Sequence, residues 1–153
     1  MFSQSVSDTF ERLGEELGIE QFEFDDDGYC LLRVDDAIDL AIELDEDSQS
    51  IILSADCGDL PSANREKVLQ ELLDANFYWA GSGGAPFPTK SPTAPVCLQA
   101  REAAAQLDLD RLRDLSLAMI SNAEAWRQRL EDISAGRTPT ETNTELPPDA
   151  MHV

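Results

Sequence analysis

Histidine is nearly absent from this 153-residue chain, whose one example is His152. A His-based triad, a His-ligated metal centre and a His-Glu-x-x-His helix therefore lack their residues within the sequence. Cysteine is scarce as well. Cys30, Cys57 and Cys97 are far apart, form no Cys-x-x-Cys and are odd in number. That pattern predicts reduced thiols packed as small apolar groups, in a cytoplasmic setting. No apolar run approaches the roughly 20 residues of a membrane helix. The opening Met1-Phe2-Ser3-Gln4-Ser5 has no basic stretch followed by an apolar one, so no signal peptide is expected. Basic residues are few: 11 Lys and Arg stand against 31 Asp and Glu, a net charge of −20. Phosphate backbones and anionic lipid surfaces repel such a chain, which argues against nucleic-acid and membrane partners.

Hydrophobic residues make up 42% of the sequence, enough for one domain with a real core. Val6, Phe10, Leu13 and Leu17 recur at helical spacing and predict an amphipathic helix over 3–17, stopped by Gly18. The period then changes to two. Phe22 and Phe24 alternate with acids, Asp26-Asp27-Gly28 reads as a turn, and Tyr29 to Val34 as a strand. Ile38, Leu40, Ile42 and Leu44 alternate with Asp39, Ala41 and Glu43, and Ile51 to Ala55 follows after another turn. Such short turns imply an antiparallel meander. A second helix is expected over 61–77, with Pro61 at its first position and Val68, Leu69, Leu72, Leu73 and Phe77 as a wide apolar stripe. Gly81-Ser82-Gly83-Gly84 ends it. Residues 85–89 and 95–100 read as two further strands, weakened by prolines at 86, 88, 92 and 95. A last helix spans 108–134 with Asp108 as its cap, and Leu109, Leu112, Leu115, Met119, Trp126, Leu130 and Ile133 lie along one side. Residues 136–153 lack core-building residues and read as a disordered tail. The expected fold is α+β: an antiparallel twisted sheet of about five strands with three helices, in the order α-β-β-β-α-β-β-α, with the domain over 1–135.

Three arrangements imitate chemistry. Glu23-Phe24-Asp25-Asp26-Asp27-Gly28 starts like a calcium loop, but its twelfth position is Val34, where a bidentate Glu is required. An acidic hairpin turn accounts for it better. Gly84-Ala85-Pro86-Phe87-Pro88-Thr89-Lys90-Ser91 echoes a phosphate-binding loop, yet Thr89 stands where Gly is needed and two prolines remove N–H donors. The carboxylate groups Asp25 to Asp27, Asp35-Asp36 and Asp45-Glu46-Asp47 fall in turns, where water screens them, whereas glycosidase chemistry needs acids in a cleft. No catalytic residue, metal or cofactor is expected. A small hydrolase using acidic pairs is the weakest reading of the sequence.

The ordered set of segments resembles the class I type III secretion chaperones of the CesT, SycE and Tir-chaperone type. The resemblance spans about 3–134. It rests on the first helix ending Leu17-Gly18-Ile19, on Phe24-Asp25-Asp26-Asp27-Gly28 leading into Cys30-Leu31-Leu32, on Leu72-Leu73-Asp74-Ala75-Asn76-Phe77 followed by Gly83-Gly84, and on Ala125-Trp126-Arg127 in the closing helix. It implies a cytoplasmic homodimer without ATPase activity that binds the N-terminal segment of a secreted effector in extended form and keeps it competent for export. The prolines of 85–97 depart from the two clean strands usual there. Candidate effector contacts are Phe2, Val6, Phe10, Phe22, Phe24 and Leu31, with the first helix also able to serve as plain core. Candidate dimer contacts are Leu69, Leu72, Leu73, Phe77, Tyr78 and Trp79. The same fold used outside secretion, as an adaptor or regulator of a folded partner, is the alternative.

Overall fold

The computed structural model describes residues 4–19, 22–77, 85–88, 93 and 95–139. The elements are α1 (Gln4–Leu17), β1 (Tyr29–Val34), β2 (Ile38–Asp45), β3 (Ser50–Asp56), α2 (Arg65–Asn76), β4 (Cys97–Ala103) and α3 (Leu109–Ser134), with a 3₁₀ turn at Ala104–Gln106. The strands form one antiparallel sheet in the order β1-β2-β3-β4.

Period-two alternation sets the two faces of the sheet. Cys30, Ile38, Leu40, Ile42, Ile51, Leu53, Ala55 and Leu98 point inward and are buried. Onto that face α3 lays Leu112, Leu115, Met119, Trp126, Leu130 and Ile133, all buried. It packs across β2, β3 and β4, while α1 and α2 pack against α3. The other face carries the cross-strand rows Tyr29, Glu43, Ile52, Arg101 and Leu31, Ala41, Ser54, Gln99. Tyr29 and Leu31 are exposed there. The inner face holds one charge, Glu102, buried and clamped by Arg111 of α3 through Nη2 at 2.7 Å and Nε at 3.0 Å.

Turn chemistry fixes the register. The Asp25 carboxylate accepts the backbone N–H of Asp27 at 3.0 Å and of Tyr29 at 2.8 Å, so this acid closes the turn into β1. Gly28 has φ of 77°, and a Cβ there would lie 3.0 Å from the Leu44 carbonyl oxygen, so only glycine fits. At the start of α3, Asp108 accepts from the Arg111 N–H at 2.8 Å, the capping bond its position predicts.

The structure corrects the sequence reading in several places. Four strands form among the described residues rather than about five. Residues 85–88 are not a strand: the Gln99 N–H donates to the Pro86 carbonyl, but Asn76 takes the Phe87 N–H at 2.8 Å and the Phe87 ring meets Trp126 edge-on at 4.6 Å. Residues 22–25 are also outside the sheet. Helix α2 starts at Arg65, four residues after Pro61, because Asn64 adopts a left-handed φ of 53° and donates from Nδ2 to the Ile133 and Ser134 carbonyls at the end of α3. Leu17 is exposed rather than part of the buried stripe of α1. Phe2, Tyr78, Trp79, the Gly81–Gly84 segment and residues 140–153 of the tail lie outside the described residues.

Candidate functional site

Helix α1 is strongly amphipathic because Val6, Phe10 and Leu13 fall on one face at four- and three-residue steps. The chain leaves it at Gly18 and turns back, with the Ile19 N–H donating to the Gly14 carbonyl at 2.8 Å. That reversal returns Phe22 and Phe24 to α1. Phe10 meets Phe22 edge-on at 5.4 Å and Phe24 edge-on at 5.3 Å, and the Phe22 and Phe24 rings lie near-parallel at 6.5 Å. Gly14 permits this approach, since a Cβ there would lie 3.0 Å from the Ile19 carbonyl oxygen and 3.4 Å from the Phe22 ring.

A groove of about 460 Å³ opens between α1 and the returning chain. Val6, Phe10, Phe22, Phe24, Ile19 and Leu44 give it an apolar lining, and Ser7, Glu11 and Glu15 stand on its α1 side. Its size is within the roughly 300–1,000 Å³ typical of ligand clefts. Of the six candidate effector contacts, Val6, Phe10, Phe22 and Phe24 come together here. Val6 and Phe10 are buried, and Phe22 and Phe24 are half-buried, so the first pair serves core and groove at once. Leu31 stands apart on the open sheet face, 57% exposed. Sequence reasoning missed Ser7, Glu11, Gly14, Glu15, Ile19 and Leu44. Glu11 and Glu15 carry no local signal that separates them from the other acids of the chain, because the groove beside them is formed only when Ile19, Phe22 and Phe24 return to α1.

A second apolar surface lies on α2. Leu69, Leu73 and Phe77 follow one another at four-residue steps and are 41%, 65% and 71% exposed. Val68, Leu72 and Ala75 face inward and are buried. The structure thus separates Leu72, a core residue, from the exposed stripe formed by the other three described dimer candidates.

Thiols and acids here do structural work. Burial pushes the Cys57 thiol up to about 12 and raises that of Cys30. Neither is a poised nucleophile, since a reactive cysteine needs its thiolate stabilised. Hydrogen bonds from Ser48 hold the Asp45 carboxyl below its ordinary range, in the turn between β2 and β3. Among the described residues no group of three or more His, Cys, Asp or Glu is arranged to hold a metal ion, and no helix is long and apolar enough to cross a membrane.

No curated protein sequence is similar enough to count as a match. Among solved structures, a chain of the ExsC–ExsE complex superposes with a TM-score of 0.74 at 22% identity, covering 85% of this chain and 97% of that one. A chain of the HopA1–SchA chaperone–effector complex gives 0.64 at 14% identity, covering 78% and 91%. One from the heterodimeric ExoU–SpcU complex of the Pseudomonas aeruginosa type III secretion system gives 0.56 at 16% identity, covering 85% and 98%. At these identities the likeness establishes the fold. The model of the Tir chaperone protein (CesT) family matches residues 9–127, and the chain therefore belongs to that family.

Proposed function

We propose that the protein is a type III secretion chaperone that binds the N-terminal segment of a secreted effector in extended form, acting by binding alone and without bond chemistry. The observation that carries this reading is the pairing of the family match with an apolar groove bordered by α1 and the Phe22–Phe24 segment. An extended peptide gives up conformational entropy when it binds and needs apolar anchors to offset it. Each fully buried aliphatic or aromatic anchor contributes about 1.5–3 kcal/mol. β1 adds a further opportunity, because it ends the described sheet and can accept a peptide strand along its free edge. The exposed Leu69, Leu73 and Phe77 stripe supports a homodimer in which two subunits present twice the client surface.

Size-exclusion chromatography with light scattering, on mixtures with N-terminal fragments of candidate effectors, tests the reading. The expected product is a complex of two chaperones with one fragment. Phe22→Asp places a charge in the apolar lining and is expected to weaken the complex at least tenfold while the protein stays folded. Fragment affinity unchanged by Phe22→Asp would remove the groove from the client site.

A further inference from the structure

The groove has two chemistries side by side. Its lining is the Phe10, Phe22 and Phe24 cluster, and its α1 side presents the exposed acids Glu11 and Glu15. Among the described residues neither acid has an ion-pair or hydrogen-bond partner, whereas the adjacent Glu16 is held by Arg113 at 3.2 Å. Glu11 and Glu15 are four residues apart on one helix and repel one another. Glu15 also falls toward the C-terminal end of α1, where the helix dipole disfavours negative charge and the last turn of α1 carries no basic residue of its own. Neither carboxylate is engaged by another side chain among the described residues. A cationic ligand in the groove would satisfy both.

A hollow that shares two residues with the groove repeats the pattern. Phe24 and Leu44 also line an adjoining hollow whose other walls are Asp25, Asp26, Asp27, Glu43, Asp45, Glu46 and Asp47. The apolar floor therefore runs from an acidic helix side into an acidic hairpin end.

Spacing adds a register. Residues four apart on a helix are separated by about 6 Å along its axis. Alternate residues of an extended peptide are about 6.6–6.8 Å apart and share a side. A peptide lying along α1 can set side chains i and i+2 against Glu11 and Glu15 while i+1 and i+3 turn to the phenylalanines. Resting on the client-binding reading above, we infer that this groove selects an extended segment alternating basic and apolar residues, with Lys or Arg facing Glu11 and Glu15 and apolar side chains on the Phe10, Phe22 and Phe24 floor.

The test uses three fluorescent nonapeptides and the full chain, read by anisotropy at about 50 mM and about 300 mM NaCl, where screening lengths differ roughly twofold. The first peptide alternates Lys and Leu. The second has the same composition with its lysines gathered at one end. The third replaces each Lys by Ser. At the lower salt the alternating peptide is expected to bind about tenfold tighter than the serine peptide, the scale of two exposed charge pairs, and about threefold tighter than the gathered one. Glu11→Gln with Glu15→Gln is expected to erase most of that advantage. Glu66→Gln with Glu124→Gln changes net charge equally at exposed sites outside the groove and should preserve it. Circular dichroism confirms that each variant is folded. Equal binding of all three peptides, equal binding of the alternating and gathered peptides, or equal effects of the two Gln pairs would overturn the inference and leave the apolar docking reading standing. Failure of all three peptides to bind would also overturn it, and the response of effector binding to Phe22→Asp then decides the docking reading separately.

Discussion

In the homodimer proposed above, replacing Leu73 by Asp should separate the two subunits without unfolding either. Leu73 is 65% exposed in the single chain. Covering it in a two-fold interface removes about two thirds of a leucine side chain from water, worth roughly 1–2 kcal/mol per copy. Two-fold symmetry counts that loss twice. The new carboxylate would also be desolvated among Leu69 and Phe77, at a further cost of several kcal/mol. A combined weakening of about 4 kcal/mol or more is a factor of about 1,000 in the dimer dissociation constant. Within one subunit Leu73 contributes little, so the change should stay within about 0.5 kcal/mol of folding stability once dissociation is accounted for. Leu72→Asp is the instructive contrast. Leu72 is 9% exposed and belongs to the core, so that change should cost the fold itself and yield insoluble or unfolded protein. Light scattering over a dilution series gives the mass of Leu73→Asp, and circular dichroism confirms its secondary structure. A Leu73→Asp protein that keeps the dimer mass at every dilution reached by wild type would refute the α2 interface.

Arg111→Ala strands Glu102 as a buried, unpaired carboxylate and should cost about 3 kcal/mol in urea denaturation; pairing it with Glu102→Leu should recover most of that loss, and an Arg111→Ala protein of wild-type stability would deny the bridge any structural role. The Cys57 thiol is raised from 9.0 to about 12 by burial, so the folded state holds its proton more tightly than the unfolded one. Its stabilising share is complete below pH 9.0 and declines as pH rises toward about 12. Denaturant midpoints should accordingly fall faster above pH 9 in wild type than in Cys57→Ala, and parallel curves would contradict the assignment.

Much of the architecture was legible because local signals and tertiary packing agree over long stretches. Ile38 to Leu44 alternates cleanly and becomes β2, and Asp108 caps α3 at the residue where the apolar periodicity begins. Three of the failures share one physical cause, contacts between residues distant in sequence. Asn64 sets the start of α2 by bonding to Ile133 and Ser134, which no window around residue 61 contains. Phe22 and Phe24 alternate as a strand would, but their partner is the Phe10 ring rather than a neighbouring strand. Phe87 leaves the sheet because Asn76 and Trp126 hold it and Pro86 and Pro88 donate no hydrogen bonds. At the candidate site, the aromatic members were readable from composition and period. The acidic side was not, since on an abundantly acidic chain Glu11 and Glu15 look like any solvated pair until the returning loop sets a groove beside them.

Gly14 ties helix strength to groove shape. A methyl group at this position would strengthen α1 by roughly 1 kcal/mol in intrinsic preference, yet it would press on the Ile19 carbonyl oxygen, which must give by a few tenths of an ångström, and would stand in contact with the Phe22 ring. Selection for a sturdier helix and selection for a fitted peptide therefore pull on a single atom in opposite directions. Chains of this family that diverge to serve other cargo could retune their aperture there, without touching the aromatic trio itself.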